Sequence, residues 1–378
     1  MSSYLPRISL LLGFVLGIAF LYAAAPDLKV EKRFENLALG EENTVAMGGV
    51  VDIRVHCHDL DDIDLCLNGY KQAGNAQPVV LWLGNSQVHA INHYRPGEET
   101  AAPELHGLLQ DRDRYFLTLS QPNANLQEHY LLFAHLVDKL PVKTLVLPVV
   151  FDDMREEGVR TSLAAALKDP DTRGILGGTP VGQSLVANHG DQDAAGNDMA
   201  ALADTVQEYS ERRLNEGLER VWPLWAERPE LRGEFLLSLY LLRNWVLGID
   251  PSSTRKMIPG RYANNREAFQ AILDLAGERG IDVLVYVVPL RNDVKVPYDL
   301  EEYAAFKAEM ATLADRPGVR FANLEDLVPA DLWGAKAATT LGGGEELDFM
   351  HFQAGGHRLL AAALYHELQA LWGGEVRP

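Results

Sequence analysis

The sequence predicts an α/β fold built on a parallel sheet, and two alternating patterns support this prediction. A continuous apolar run of strand length, which suits a parallel strand covered on both faces, occurs at 78–83, and further mainly apolar strands are predicted at 115–119, 144–151 and 281–288. Segments with helical sequence lie between or after them, at 126–139, 264–279 and 299–315. Strand alternating with helix is typical of a doubly wound sheet, in which functional sites lie at the carboxyl ends of strands.

The elements follow in chain order with short breaks. The strand at 78–83 leads into Gly84-Asn85-Ser86 and a helix from Ser86. After the third strand, 158–259 is less regular and predicts a large, partly helical insertion. A short strand at 319–321 precedes a last helix that starts after Gly355-Gly356 and runs through Leu371. We therefore divide the chain into an N-terminal segment (1–25), a lead-in (26–77) and one α/β domain (78–378) with an insertion.

Composition limits the classes of partner. The chain has 378 residues and a formal net charge of −19, which disfavours nucleic acid as a ligand. Gly84-Asn85-Ser86 has no Gly-x-Gly-x-x-Gly pattern around it, so a nucleotide-binding Rossmann site is not predicted. We expect no cofactor.

The N-terminal segment predicts export. Residues 8–25 are uncharged and largely apolar, and 18 residues reach about 27 Å as a helix, enough to cross a bilayer core. An uncleaved anchor, a secretory signal cleaved near Ala23-Ala24-Ala25, and a buried core helix are the alternatives. Either of the first two puts the domain outside the cytoplasm; we expect a single-pass inner-membrane protein whose domain is periplasmic.

Cys57 and Cys66 are the two cysteines of the chain. An oxidising compartment permits them to pair in a disulfide. Two free thiols, or a metal site formed with His56, His58 and neighbouring aspartates, are the alternatives; the paired Cys-x-x-Cys spacing of a zinc site is missing.

Two short motifs predict nucleophilic chemistry. Ser86 follows the first core strand at a glycine turn, and Asp348-x-x-His351 lies in a glycine-rich segment near the C-terminus, predicted as a loop. Ser86 would attack, His351 would take its proton and Asp348 would orient the imidazole. The alternatives are a plain helix cap at Asn85-Ser86, and a surface aspartate beside a partly buried histidine.

Other histidines compete for the role of base or ligand. His357 is a rival base, but it lies inside the predicted last helix. His89 and His93 are four residues apart on the helix predicted after Ser86 and are either a metal pair or ordinary helix residues.

The two motifs resemble the first and last blocks of the SGNH (GDSL-like) hydrolases. The resemblance implies a flavodoxin-like three-layer fold, ester chemistry, and the roles given above for Ser86, Asp348 and His351. The family's middle blocks correspond to 121–125 and 150–153. Asn123 would donate a backbone N–H to the oxyanion. Asp152 stands where the family has an asparagine, and an ionised carboxylate cannot donate, so Asn125 or Arg155 fills the gap or the oxyanion hole is incomplete.

The N-terminal segment and the divergent middle blocks resemble one branch of that superfamily, the membrane-anchored proteins of alginate acetylation and D-alanyl transfer. This resemblance implies an acylated polysaccharide as substrate and a membrane-bound O-acyltransferase as partner. The alternative is a weakly active or inactive accessory module that binds either one. Arg291 would bind a substrate oxygen or pair with Asp293. Further residues would stack on sugars or form core: Trp222, Trp225, Tyr240 and Trp245.

Overall fold

The computed structural model describes residues 44–45, 49–50, 53–58, 60–74, 77–109, 114–190, 254–337 and 345–373. The chain divides into two compact units, and the larger one comprises 42–215, 252–335 and 347–378. Most of the smaller unit lies outside the described residues, as do the predicted membrane segment 8–25 and the aromatic residues predicted for the insertion. Among the helices that are described, none is both long and apolar enough to cross a membrane.

A parallel sheet forms the centre of the larger unit. Its strands in the described residues are β4 (His56–Cys57), β5 (Val79–Gly84), β7 (Tyr115–Ser120), β8 (Val142–Val149), β9 (Asp282–Val287) and β10 (Val319–Asn323). The order across the sheet is β10-β9-β8-β5-β7-β4, and every neighbouring pair is parallel. The predicted α/β class with a parallel sheet is confirmed. The chain moves from β5 to β7 on one side and then to β8 on the other, so the order reverses at β5, where sites form in open sheets.

Helices cover both faces of this sheet. Leu81 and Leu83 of β5 belong to one apolar cluster, and Val80 and Trp82 belong to another. Because alternate residues of a strand point to opposite faces, the two clusters lie on either side of the sheet. The resulting arrangement is three layers, helix on sheet on helix.

The helices contribute apolar residues to these two clusters. The α-helices of the described residues are α1 Leu60–Gln72, α2 Ser86–His89, α3 Ala101–Leu109, α4 Leu126–Leu136, α5 Thr161–Ala164, α6 Pro170–Leu176, α7 Pro180–His189, α8 Pro259–Glu278, α9 Leu300–Leu313 and α10 Ala354–Leu371. Helices α4, α8 and α9 contribute to the first cluster, and α3 and α10 to the second. Asp299 caps α9, since its side chain accepts from the backbone N–H groups of Glu301 and Glu302.

Short strands complete the described elements. Strands β1 (Thr44–Val45) and β6 (Ala90–Ile91) pair antiparallel, as do β2 (Gly49–Val50) and β3 (Ile53–Arg54). Strands β11 (Trp333–Ala337) and β12 (Glu345–Phe352) form a further two-stranded sheet.

The N-terminal side of the domain differs from the sequence predictions in detail. The lead-in contributes to the fold, because β4 is an edge strand of the sheet and α1 packs against the first cluster. The helix after Ser86 ends at His89, and Ala90–Ile91 pairs as a strand instead. Helix α3 was not predicted, and its Pro103 is tolerated because it lies in the first turn.

Two further regions bear on the sequence predictions. Helices α5–α7 lie in the first part of the predicted insertion and contribute buried residues such as Leu163, Leu176 and Leu185 to the first cluster. The remainder of that insertion, 191–253, lies outside the described residues. Asp348 and His351 lie in strand β12 and not in a loop.

Candidate active site

The carboxyl ends of two adjacent strands, β5 and β7, lie at the start of the site. Gly84 ends β5 opposite Ser120, the last residue of β7. A Cβ atom at Gly84 would lie 3.0 Å from Val88 Cβ and 3.2 Å from Ser120 Cβ, so glycine permits the close approach of this turn. Asn85 then caps α2, because its Oδ1 accepts from the N–H of Gln87 at 3.1 Å. Ser86 is therefore the first helical residue, directly after the sheet.

The structure brings Ser86, His351 and Asp348 together. His351 Nε2 lies 3.0 Å from Ser86 Oγ, and His351 Nδ1 lies 2.8 Å from Asp348 Oδ2. The other carboxylate oxygen of Asp348 accepts from the N–H groups of Met350 at 2.8 Å and of His351 at 3.1 Å. With Nδ1–H donating to Asp348, Nε2 is left to accept the Ser86 proton. This is the arrangement that nucleophilic catalysis by serine requires.

The three side chains are largely shielded from solvent. Ser86 and His351 are each 8% exposed, and Asp348 is 1% exposed. Low exposure strengthens hydrogen bonds within the group.

Gln87 and Asn92, which the sequence reasoning missed, connect the Ser86 turn to the segment that carries His351. Gln87 Nε2 donates to the carbonyls of Pro289 and Met350, both at 2.8 Å. Asn92 Nδ2 donates to the Ala335 carbonyl at 3.1 Å and lies 3.5 Å from Asp348 Oδ2. These two amides position the base and the acid relative to the serine.

Asn123 and Asn125 lie in the loop that follows β7. Asn123 is exposed and has a φ of 54°. Asn125 caps α4: its Oδ1 accepts from Glu128 N at 3.0 Å, and its Nδ2 donates to the Gly158 carbonyl at 3.1 Å. Both ends of the Asn125 amide are thus engaged in holding the loop and the helix start.

Asp152 and Arg155 belong to a polar cluster beside the site. Asp152 accepts hydrogen bonds from Tyr298 Oη at 3.0 Å and from Arg155 Nη1 at 3.2 Å, and it also pairs with Arg255. Arg155 in addition donates from Nε to the Lys256 carbonyl at 2.8 Å. These contacts engage Asp152 and Arg155 with each other and with the chain around 255.

Asp153, not Asp152, contacts the Ser86 turn. Asn85 Nδ2 donates to Asp153 Oδ2 at 3.0 Å. Asp153 is 7% exposed, and this burial raises the pKa of its carboxyl well above the ordinary value. The sequence analysis named Asp152 and not Asp153. A block as short as 150–153 can be matched to the family's block one residue earlier or later, and composition does not distinguish the two matches.

Arg291 pairs with Asp293, which is the second of the two alternatives predicted for this side chain. Its Nε and Nη2 atoms donate to the Asp293 carboxylate at 2.6 and 3.1 Å, and Nη1 donates to the Gly334 carbonyl at 3.0 Å. The side chain pairs with Asp293 and contacts strand β11 through Gly334.

A group of histidines surrounds Ser120, next to the predicted triad. Ser120 Oγ lies 2.5 Å from His56 Nε2 and 3.2 Å from His89 Nδ1, and the rings of His58 and His89 are 3.8 Å apart. Burial, with the neighbouring His58, His56, His351 and Arg160, lowers the pKa of His89 to about 2. His89 is therefore neutral at physiological pH. His93, at a φ of 51°, lies beyond α2, so the two histidines do not share a helix face.

His357 has a structural role in α10. Its Nδ1 accepts from the Ala101 N–H at 3.1 Å, and its Nε2 donates to the Ala90 carbonyl at 3.0 Å. Burial lowers the pKa of His357 to about 3. With both ring nitrogens bound to backbone, this histidine does not compete with His351 for the serine.

The cysteines are joined. A disulfide links Cys57, at the end of β4, to Cys66 in α1. Cys57 is consequently no thiolate ligand, and in the described part of the chain no cluster of three or more metal-binding side chains occurs.

Comparison with known proteins does not assign the chain to a family. No family model matches it, and no curated protein does. One similar solved structure is a Bacteroides fragilis NCTC 9343 protein to which acylhydrolase activity has been attributed, with 12% identity, a TM-score of 0.34, and coverage of 81% of this chain and 95% of that one. Another, described as a platelet activating factor of Streptococcus pneumonia, has 10% identity, a TM-score of 0.34, and coverage of 82% and 92%.

Proposed function

We propose that this protein is a serine esterase or O-acyltransferase that acts on acyl esters, with acetyl as the acyl group, through an acyl-Ser86 intermediate. The observation that carries the proposal is the chain of hydrogen bonds from Ser86 Oγ through His351 to Asp348, with donor–acceptor distances of 3.0 and 2.8 Å. Ser86 lies near the start of the domain, and Asp348 and His351 lie near its end. A structural role alone does not require a serine, a histidine and an aspartate joined in this order by hydrogen bonds.

The proposed reaction has two halves. Ser86 Oγ attacks the ester carbonyl while His351 Nε2 takes its proton, and Asp348 stabilises the imidazolium that forms. The negative oxygen of the tetrahedral intermediate faces the backbone N–H of Ser86 at the start of α2, because the N–H groups of Gln87 and Val88 already donate to Asn85. His351 then protonates the leaving alcohol. In the second half His351 deprotonates water or an acceptor hydroxyl, whose oxygen attacks the acyl-serine; the bond between the acyl carbon and Ser86 Oγ then breaks as His351 returns the proton to Ser86 Oγ.

The substrate class rests on the sequence. The apolar segment 8–25 supports export, and the resemblance to membrane-anchored proteins of polysaccharide acylation supports an exported polysaccharide as the alcohol component. A membrane-bound O-acyltransferase is the proposed source of acyl groups.

Replacing Ser86 tests the proposal. We expect Ser86→Ala to lower kcat for p-nitrophenyl acetate by at least about 10³-fold, because the nucleophile is lost. Ser184→Ala is the matched control, since Ser184 is an exposed serine on α7. Equal rates for wild type and Ser86→Ala would exclude Ser86 as the nucleophile and leave an accessory role.

A second assay separates hydrolysis from transfer. The purified protein is given p-nitrophenyl acetate with and without a non-acetylated polysaccharide, and acetyl groups on the polymer are measured. Transfer predicts Ser86-dependent acetylation of the polymer; an esterase releases only acetate.

A further inference from the structure

The short 3-10 turn Asp153–Arg155, which follows β8, places a carboxyl group next to the start of α2. Asp153 Oδ2 accepts a hydrogen bond from Asn85 Nδ2 at 3.0 Å. The same Asn85 side chain lies over the N-terminus of α2, because its Oδ1 accepts from Gln87 N at 3.1 Å. Asp153 is therefore one hydrogen bond from the residue that precedes Ser86.

The charge state of this carboxyl decides what it can do there. An ionised carboxylate has only acceptors and would repel a developing oxyanion, whereas a carboxylic acid has one O–H donor. Asn85 donates to Oδ2, which leaves Oδ1 as the oxygen that carries the proton. Asp153 is nearly buried, at 7% exposed, and an isolated buried charge is costly.

We propose that Asp153 is a catalytic residue that stays protonated and donates a hydrogen bond from its carboxylic acid to the oxyanion formed at Ser86. This inference rests on the proposed function and deepens it. The proton remains on Asp153 throughout, so the step adds a hydrogen bond and no transfer. Asp153 thereby supplies the oxyanion donor that is missing if Asp152 is assigned to the position of the family's asparagine.

The surroundings of Asp153 are consistent with a neutral acid. Burial is the largest influence and raises the pKa of Asp153, and the negative charges of Asp152 and Glu156 raise it further. The hydrogen bond from Asn85 and the positive charge of Arg160 act in the opposite direction. Burial outweighs them, and the net shift is upward.

The test compares two substitutions in the full-length protein. Asp153→Asn keeps a donor and an acceptor in nearly the same shape, and Asp153→Ala removes both. We expect Asp153→Ala to lower kcat by about 10²–10³-fold, the cost of one missing oxyanion donor, and Asp153→Asn to stay within about tenfold of wild type. Turnover of p-nitrophenyl acetate is measured with Ser86→Ala as the blank.

A pH profile and an infrared spectrum separate donation from a merely structural role. If Asp153 donates, wild-type kcat falls on the alkaline side as Asp153 ionises, and Asp153→Asn lacks this fall. Asp152→Asn moves the fall to lower pH, because it removes a negative charge that keeps the acid protonated. At neutral pH, we expect the infrared spectrum of wild type minus that of Asp153→Asn to show the C=O stretch of a protonated carboxyl. The corresponding difference for Asp64→Asn, at an exposed aspartate, is the control that does not show this band.

The outcomes separate this inference from the function it rests on. If Ser86→Ala abolishes turnover but Asp153→Asn loses as much kcat as Asp153→Ala, or if the protonated-carboxyl band is missing, the role of Asp153 is overturned and the esterase proposal stands. If wild type turns over no faster than Ser86→Ala, both are overturned.

Discussion

At the residue scale, the proposed chemistry depends on the side-chain amides of Gln87 and Asn92 as well as on Ser86 and His351. Ser86, Asp348 and His351 could be singled out from sequence because their residue types and order match a known chemistry. Gln87 and Asn92 could not, because amides are common and their partners are backbone carbonyls: the Gln87 contacts span 202 and 263 positions of sequence. Only folding reveals such partners.

Replacing Gln87 tests this positioning. Gln87→Ala removes both hydrogen bonds between α2 and the segments at 289 and 350, so we expect kcat to fall by about 10–100-fold, because small displacements of a catalytic group are costly. KM should change less, since Gln87 is 1% exposed and does not face substrate. Steady-state kinetics check the split. Gln183→Ala is the matched control, because Gln183 donates to the Gly177 carbonyl on the surface of α7; an equal loss of kcat there would contradict the positioning role.

At the element scale, strands were predicted better than short helices. The segments 78–83 and 281–288 become β5 (Val79–Gly84) and β9 (Asp282–Val287), because strands that are buried on both faces are mainly apolar. Helix α1 was missed because its first turns are rich in aspartate, although acidic residues are stabilising at a helix N-terminus. Helix α2 ends early because Ala90–Ile91 pairs with β1, a long-range contact without a local signal.

Substitutions of Asn125, at the start of α4, distinguish a capping role of this side chain from a catalytic role. Asn125→Ala removes the cap, and we expect a loss of about 1–2 kcal/mol in the free energy of unfolding. Asn125→Ser keeps a side-chain acceptor, so stability should recover by most of that amount. Urea unfolding measures both. If Asn125 instead donated to the oxyanion, the serine variant would lose kcat by about 10²-fold or more while remaining folded, and the capping assignment would be wrong.

At the scale of the whole molecule, three buried histidines make the fold sensitive to acid. Burial lowers the pKa of His89 to about 2 and the pKa values of His129 and His357 to about 3, from an ordinary 6.5. Below pH 6.5 the unfolded chain binds protons that the folded chain does not. Stability is therefore lost as pH falls from 6.5 towards these values, by at most about 1.4 kcal/mol per pH unit for each histidine.

His357→Gln isolates one of these contributions. The glutamine keeps a donor for the Ala90 carbonyl and does not titrate, so the variant should be less stable at neutral pH but lose less stability on acidification. We expect the slope of unfolding free energy against pH, between pH 6 and pH 4, to be smaller by about 1.4 kcal/mol per unit. Urea titrations at several pH values give the slope. An unchanged slope would mean that His357 is protonated in the folded state.

The central claim is that the fold makes the Ser86 hydroxyl reactive by joining it to His351, and covalent labelling tests it most directly. The full-length protein is incubated with a fluorophosphonate, and the adduct is located by peptide mass spectrometry in wild type, Ser86→Ala and His351→Gln. We predict one adduct, on Ser86, that is absent from Ser86→Ala and formed far more slowly in His351→Gln. An unlabelled Ser86 in folded wild-type protein, or equal labelling of wild type and His351→Gln, would contradict the account.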